Sequence, residues 1–155
     1  MRLVLQRVKW ARVTVDERTA ASIGTGILLL AGFGLEDHSG MWKGTAWKKI
    51  ITKVVGLRIF PDQEDRMNLS LQDVGGEILA VSQFTLYADC GKGRRPSFTT
   101  AARPELAEGL FHRLVSDLEK ACPGRVRQGV FGAAMDVDFC NWGPVTLVMD
   151  SGDFQ

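Results

Sequence analysis

Hydrophobic positions along the chain fall mostly into short β-like runs broken by turns, and only two stretches keep a helical period. Leu3 to Trp10 and Ala11 to Val15 alternate or cluster β-formers, and each reads as a strand. Ile27 to Phe33 reads as a buried strand, with Gly24, Gly26, Gly32 and Gly34 marking turns at its two ends. From Trp42 to Val55 the period changes. Ala46, Trp47, Ile50, Ile51, Val54 and Val55 follow i, i+3/i+4 spacing, which predicts a helix, and Gly56 suits its C-terminal cap. Leu57 to Phe60 and Glu77 to Tyr87 read as further strands, with a polar, acidic loop at Pro61 to Met67. The second helix spans Pro104 to Cys122. Pro104 fits its first turn, Ala107, Leu110, Phe111, Leu114, Val115 and Leu118 form its stripe, and Pro123-Gly124 stops it. Arg125 to Val130, Met135 to Cys140 and Val145 to Met149 complete the strands. With roughly eight strands to two helices, the pattern predicts an α/β (α+β) fold: a small, curved or barrel-like mixed sheet covered by two main helices.

Length and composition narrow the function classes. The 155 residues suit one domain, 1–155, with 45% hydrophobic and 24% charged side chains, as in ordinary soluble globular proteins. The formal charge of +1, from 19 basic and 18 acidic residues, leaves no overall basic coat, so any contact with nucleic acid requires a local patch. Cys90, Cys122 and Cys140 are odd in number and lack Cys-x-x-Cys spacing. That argues against a metal site or disulfide framework and fits a reducing compartment. No metal and no organic cofactor is expected. The start, Met-Arg-Leu-Val-Leu-Gln-Arg, places charges within its apolar stretch, unlike a signal peptide. The Ile27 to Phe33 run is too short to span a membrane, so a cytoplasmic protein without membrane contact is expected.

Conventional catalytic chemistry is sparse. Gly24 and Gly26 do not begin a dinucleotide fingerprint, because Leu29 occupies the third glycine position. Ser82 and Thr85, in Ser82-Gln83-Phe84-Thr85-Leu86, are candidate nucleophiles, but a hydroxyl nucleophile needs a base. The two histidines offer no recognisable triad: His38 lies in an Asp-His-Ser-Gly turn, and His112 lies on the second helix. A Gly-x-Ser-x-Gly elbow is also absent, which disfavours a Ser-His-Asp hydrolase. In strand geometry Ser82, Phe84 and Leu86 share one face, and Gln83 and Thr85 the other. Taken alone, the segment fits hydroxyls satisfied within a sheet.

Gly143-Pro144 is the second unusual segment. Proline cannot donate to a sheet ladder, which places it at the entrance of the following strand. Only about 5–6% of X-Pro bonds are cis, so local physics favours a trans turn, while the glycine would let backbone approach a ligand closely. A third candidate is the Ala88 to Ser97 loop. Lys92, Arg94 and Arg95 among Gly91 and Gly93 suit phosphate, yet the Walker pattern is incomplete. The loop reads equally as a solvated basic turn or as a contact for RNA backbone. Lys43, Lys48, Lys49 and Lys53 lie largely off the first helix's stripe; a solvated face is favoured there over one that meets RNA.

These segments together resemble the D-aminoacyl-tRNA deacylase family, whose signatures Ser-Gln-Phe-Thr and Asn-x-Gly-Pro-Val-Thr stand here as Ser82 to Thr85 and Asn141 to Thr146. The resemblance extends in order through Gln6-Arg7-Val8, Leu57 to Phe60, Met67-Asn68-Leu69, Gly93 to Phe98 and Gly129 to Gly132 with Met135. It implies a barrel-like homodimer that hydrolyses the ester of a D-amino acid on the tRNA 3′ end, and of glycine misloaded there. Ser82, Gln83, Phe84 and Thr85 would form the catalytic segment. Backbone N–H groups around Phe84 and Thr85 would stabilise the oxyanion, and Thr85 would position rather than attack. Arg7, Phe131, Gly132, Met135, Gly143 and Pro144 would bind substrate, and Lys92, Arg94 and Arg95 would meet tRNA. In the family the bond corresponding to Gly143-Pro144 is cis and enters the partner's pocket, excluding an L side chain near the α-carbon, while Arg7 helps hold this geometry. Trp142 departs from the Asp often found at this position, but the slot is the variable one of the motif and little effect on chemistry is expected; the alternative is packing at the dimer seam or against the tRNA end. Relatives with altered signatures and a trans Gly-Pro act on L-aminoacyl substrates. The unaltered signatures here favour D-selectivity.

Overall fold

The computed structural model describes residues 1–154. Its strands are β1 (Arg2–Val15), β2 (Arg18–Ile23), β3 (Gly26–Gly32), β4 (Phe60–Pro61), β5 (Met67–Leu69), β6 (Glu77–Ser82), β7 (Val126–Gln128) and β8 (Asp136–Asp150). The helices are α1 (Thr45–Gly56) and α2 (Pro104–Ala121), with 3-10 turns at Met41–Lys43, Phe84–Tyr87 and Ser151–Phe154.

β1 organises the sheet. Its first half pairs antiparallel with β3, from Arg2 opposite Gly32 to Val8 opposite Gly26. Its second half pairs with β2, from Ala11 opposite Ile23 to Val15 opposite Arg18. Along its other edge runs β8. β3 continues the sheet through parallel β6, and β6 through parallel β7. Parallel neighbours need long crossovers, and here α1 lies in the β3–β6 connection and α2 in the β6–β7 connection. β2 curls round against β6 and β7, making the sheet a nearly closed barrel. β4 and β5 form a separate small hairpin.

Alternation in β3 and β6 shows how the core is divided. Ile27, Leu29, Ile78 and Ala80 face α1 and α2, where Trp47, Ile50, Phe111 and Leu114 cover them. Leu28, Leu79 and Val81 face the other way and meet Val8, Ala11, Val13 and Ile23 inside the curl. Both faces of β3 are therefore apolar, which is why its sequence is a continuous hydrophobic run rather than an alternating one.

Several boundaries differ from the sequence expectation. The two N-terminal strands are one, because a bulge between Val8 and Ala11 bends β1 as its partner changes from β3 to β2. β2 escaped prediction because Arg-Thr-Ala-Ala-Ser-Ile has little apolar signal and buries only Ala21 and Ile23. Trp42 belongs to the 3-10 turn before α1, and Gly56 is the last helical residue; Leu57 N–H closes that end on Lys53 O at 2.9 Å. The expected Leu57 to Phe60 strand is reduced to Phe60–Pro61, and the expected Pro61 to Met67 loop turns back as a hairpin into β5. The strand expected over Arg125 to Val130 is only Val126–Gln128. The strands expected over Met135 to Cys140 and Val145 to Met149 are the single strand β8, which starts one residue later at Asp136, so Pro144 lies within a strand rather than at an entrance.

The most consequential correction concerns Glu77 to Tyr87. The strand stops at Ser82, and Phe84–Tyr87 winds into a 3-10 turn. The alternation expected for Ser82, Phe84 and Leu86 consequently does not apply. The last ladder bond is Gln83 N–H to Ala31 O at 2.7 Å, after which the chain folds tightly over Gly32. A Cβ on Gly32 would sit 2.7 Å from Gln83 O and 3.1 Å from Leu86 Cβ, so only glycine admits this turn.

Candidate active site

Two features emerge from this frame: a cleft beside the 3-10 turn and a protruding tip in β8. The cleft has a volume of about 540 Å³, and Ser82, Gln83 and Phe84 line one side of it. Phe131, Gly132 and Met135 line another, with Phe98 and the start of α2 completing the wall. Phe84 is 56% exposed, its ring edge-on to Phe98 with centroids 5.0 Å apart. Among the described residues, no lining residue is titratable. Thr85 is not part of this lining; its hydroxyl donates to Gln83 Oε1 at 2.8 Å. Leu86 makes the first backbone bond of the turn, to Gln83 O at 3.3 Å. The preceding N–H groups of Phe84 and Thr85 are thus not used by the turn itself.

Neither histidine lines the cleft. His38 accepts the Gly40 N–H at 3.2 Å within its own turn, and His112 faces Glu108 at 3.8 Å. A larger cavity of about 670 Å³ includes Met1, Arg2, Asp37, His38, Tyr87 and Asp150. Most of its charges are already partnered: the Met1 ammonium with Asp37 at 2.8 Å, and Arg2 with Asp150 at 3.0 Å. Burial, reinforced by Asp37 and Asp150, raises the Tyr87 pKa far above the ordinary phenol value, so Tyr87 stays neutral there. Among the described residues, no group of three or more His, Cys, Asp or Glu could hold a metal ion.

The tip arises from mismatched register. On β1, Gln6 and Val8 are two residues apart; their β8 partners, Thr146 and Asn141, are five apart. The four residues between those partners, Trp142 to Val145, face only Arg7 and must leave the ladder, and Gly143 and Pro144 emerge exposed at its end. The Gly143-Pro144 peptide is cis, against the trans turn favoured by local physics and in line with the resemblance. Arg7 fills the space beneath. Only 7% exposed, it donates Nε–H to Trp142 O at 2.8 Å and Nη1–H to Ile59 O, and its guanidinium lies 4.7 Å from the Trp142 ring centroid. Trp142 also meets Phe60 edge-on at 6.4 Å. Burial lowers the Arg7 pKa, but a guanidinium remains cationic. Gly143 has φ 132°, and a Cβ there would lie 2.6 Å from Arg7 Nη2. Backbone conformation and close packing both demand glycine.

The expected residues are therefore divided between places. Ser82, Gln83, Phe84, Phe131, Gly132 and Met135 converge on the cleft, whereas Arg7, Gly143 and Pro144 form the tip and do not line this chain's own cleft. Lys92, Arg94 and Arg95 lie on an exposed loop closed by the isolated Asp89–Ser97 bridge, also outside the lining. Sequence reasoning assigns no side-chain role to Asn141 or Thr146, although both belong to the signature motif. Their only signal is an amide and a hydroxyl flanking Gly-Pro.

A family profile described as D-Tyr-tRNA(Tyr) deacylase matches residues 4–150. The chain belongs to this family. Within it, the chain is 55% identical over 153 residues to a D-aminoacyl-tRNA deacylase of Nitratidesulfovibrio vulgaris (strain DP4), covering 99% of this chain and 94% of the relative. It is 50% identical over 151 residues to the protein of that name from Clostridioides difficile (strain 630), covering 97% of each. The solved structure of a c-Myc DNA Unwinding Element Binding Protein is 38% identical, with a TM-score of 0.86 over 97% of this chain and 98% of that one. A probable eukaryotic D-amino acid tRNA deacylase shares the fold at 19% identity, with a TM-score of 0.79 over 96% and 97% of the respective chains. In this deacylase family fold, the two signature motifs occupy the cleft wall and the β8 tip.

Proposed function

We propose that the chain is an aminoacyl-tRNA editing hydrolase that cleaves the ester joining a D-amino acid to the terminal adenosine of tRNA. The observation that carries this reading is a mostly apolar cleft without a titratable lining residue, beside the two N–H groups that the Phe84 turn leaves unused. An aminoacyl ester is already activated, so it needs positioning, water and an oxyanion partner more than a strong nucleophile. Water oxygen adds to the ester carbonyl carbon, and the Phe84 and Thr85 N–H groups stabilise the resulting oxyanion. The neighbouring ribose hydroxyl of the substrate orients the water. Collapse expels the ribose oxygen, which takes up a proton, leaving free D-amino acid and deacylated tRNA. Ser82, Gln83, Phe131, Gly132 and Met135 shape the pocket around the terminal residue.

Selectivity in this proposal comes from a second copy. The exposed tip of one subunit enters the cleft of its homodimer partner, where the Gly143 and Pro144 carbonyls close the space beside the α-carbon. An L side chain collides with them; a D side chain points away, and glycine has none to exclude. The tip's exposure, and its absence from its own cleft, support an intermolecular role. Lys92, Arg94 and Arg95 meet the tRNA backbone. The test is incubation of folded dimer with D-Tyr-tRNA and L-Tyr-tRNA. Rapid loss of the D ester with sparing of the L ester is expected; equal inertness toward both overturns the proposal.

A further inference from the structure

Adjacent residues on β1 grip the β8 tip from opposite faces of the strand. Arg7 reaches Trp142 O from the buried side. Gln6 reaches the other side, its Nε2 donating to Thr146 Oγ1 at 3.4 Å. Between these grips stands Asn141. Its Nδ2 donates to Thr146 Oγ1 at 3.0 Å, and its Oδ1 accepts the Val145 N–H at 3.0 Å. One planar carboxamide thus ties the beginning of the extruded segment to its end. It satisfies the Val145 N–H, which the mismatched register has removed from the ladder. Asn141 does not line the cleft, so its influence is indirect.

We propose that Asn141 is a positioning residue for stereochemical selection: its carboxamide holds Gly143 and Pro144 where an L side chain must collide. This rests on the proposed deacylase reading and on entry of the tip into a partner's cleft. Exclusion by contact depends steeply on position, because a displacement well under the size of a methyl group relieves the collision. With the carboxamide removed, Val145 N–H and Thr146 hydroxyl lose their shared partner, and the tip gains freedom to retreat. The L ester is then admitted.

Conservative replacements separate this role from a general need for folding. Asn141→Asp retains an acceptor for Val145 N–H, and the Thr146 hydroxyl can rotate to donate to the other carboxylate oxygen. Asn141→Leu retains similar volume but neither hydrogen bond. Both variants are to be compared with wild type, as folded dimers, on D-Tyr-tRNA and L-Tyr-tRNA, with urea midpoints measured alongside. The expected result is that Asn141→Leu hydrolyses L-Tyr-tRNA faster than wild type and lowers the D/L ratio of kcat/KM by about tenfold or more, a range typical of small misplacements. Asn141→Asp keeps most of the ratio. Damage to the fold alone does not produce a gain of L-ester hydrolysis.

A folded Asn141→Leu dimer with an unchanged D/L ratio overturns this inference while leaving the deacylase reading intact. Should Asn141→Leu fail to fold, Thr146→Val decides. It removes only the relay hydroxyl, so a fall in the ratio supports the inference and an unchanged ratio overturns it. A wild-type dimer inert toward both esters overturns the functional reading and this inference together.

Discussion

Replacing Arg7 by methionine tests how the β8 tip is held. The native guanidinium makes two hydrogen bonds to backbone carbonyls, Trp142 O at 2.8 Å and Ile59 O, and stacks on the Trp142 ring at 4.7 Å. A charge-assisted hydrogen bond contributes about 1.5–3 kcal/mol and a partly buried cation–π contact about 1 kcal/mol, for a gross effect of roughly 4–7 kcal/mol. Methionine recovers the cost of burying the cation but strands two carbonyls, leaving a net destabilisation of about 2–4 kcal/mol. That is a substantial part of the roughly 5–15 kcal/mol available to a typical domain. Urea denaturation measures it through the midpoint at unchanged m-value. Arg7→Lys should recover only part of the loss, because an ammonium cannot reproduce the planar fork that reaches both carbonyls. A double-mutant cycle sharpens the test. Gly143→Ala places a Cβ 2.6 Å from Arg7 Nη2, so some of its cost should disappear in the Arg7→Met background, with coupling of about 0.5–3 kcal/mol. The rest persists, because φ 132° remains unfavourable for alanine. A loss below about 1 kcal/mol in Arg7→Met, or strict additivity in the cycle, refutes this account of the tip.

Three further outcomes are expected. Thr85→Ala should lower kcat/KM for D-Tyr-tRNA by no more than about tenfold, because Thr85 does not line the cleft and its hydroxyl only supports the Gln83 side chain; a loss beyond about a thousandfold, with a trappable acyl-enzyme, would instead mark Thr85 as nucleophile. Joint replacement of Lys92, Arg94 and Arg95 by glutamine should weaken tRNA binding across sequences and reduce the salt slope by about one for each phosphate no longer neutralised, while an unchanged slope removes this loop from the interface. At Asp117, burial raises the carboxyl pKa, but hydrogen bonds from Arg113, Lys120 and Trp47 outweigh it, and the net shift is downward. Its contribution is therefore fully present above the ordinary Asp value, near 3.9, and is lost as pH falls through the lower folded-state value. Asp117→Asn should be less stable than wild type at about pH 7, with the difference shrinking toward about pH 3; a difference independent of pH in denaturation curves would contradict this.

Elements stabilised by many similar side chains were readable from sequence. The Ile50, Val54 and Val55 stripe and the Leu110, Leu114 and Leu118 stripe located both helices, because helical burial repeats at a fixed spacing. The β3 run announced burial on both faces. β2 was invisible because two buried residues carry little periodic signal. Phe84 looked like a strand residue because β-propensity says nothing of how closely Gly32 lets the chain turn. The motif residues of the site, and the separation of Gly143-Pro144 from the pocket segment, were identifiable through resemblance, but the register mismatch that extrudes the tip was not.

Sequence by itself determined the two helical stripes, the predominance of strands and the family signatures, all of which are local patterns in residue type and spacing. Tertiary structure alone decided that Ser82 to Phe84 and Phe131 to Met135 share one cleft, across more than 40 residues of chain. It also decided that four residues of β8, Trp142 to Val145, lie opposite the single residue Arg7 of β1, and that Gly143 and Pro144 are consequently extruded over Arg7. The physical reason is that strand register and backbone hydrogen bonding join distant segments, and no local periodicity records which residues a partner strand will leave unpaired.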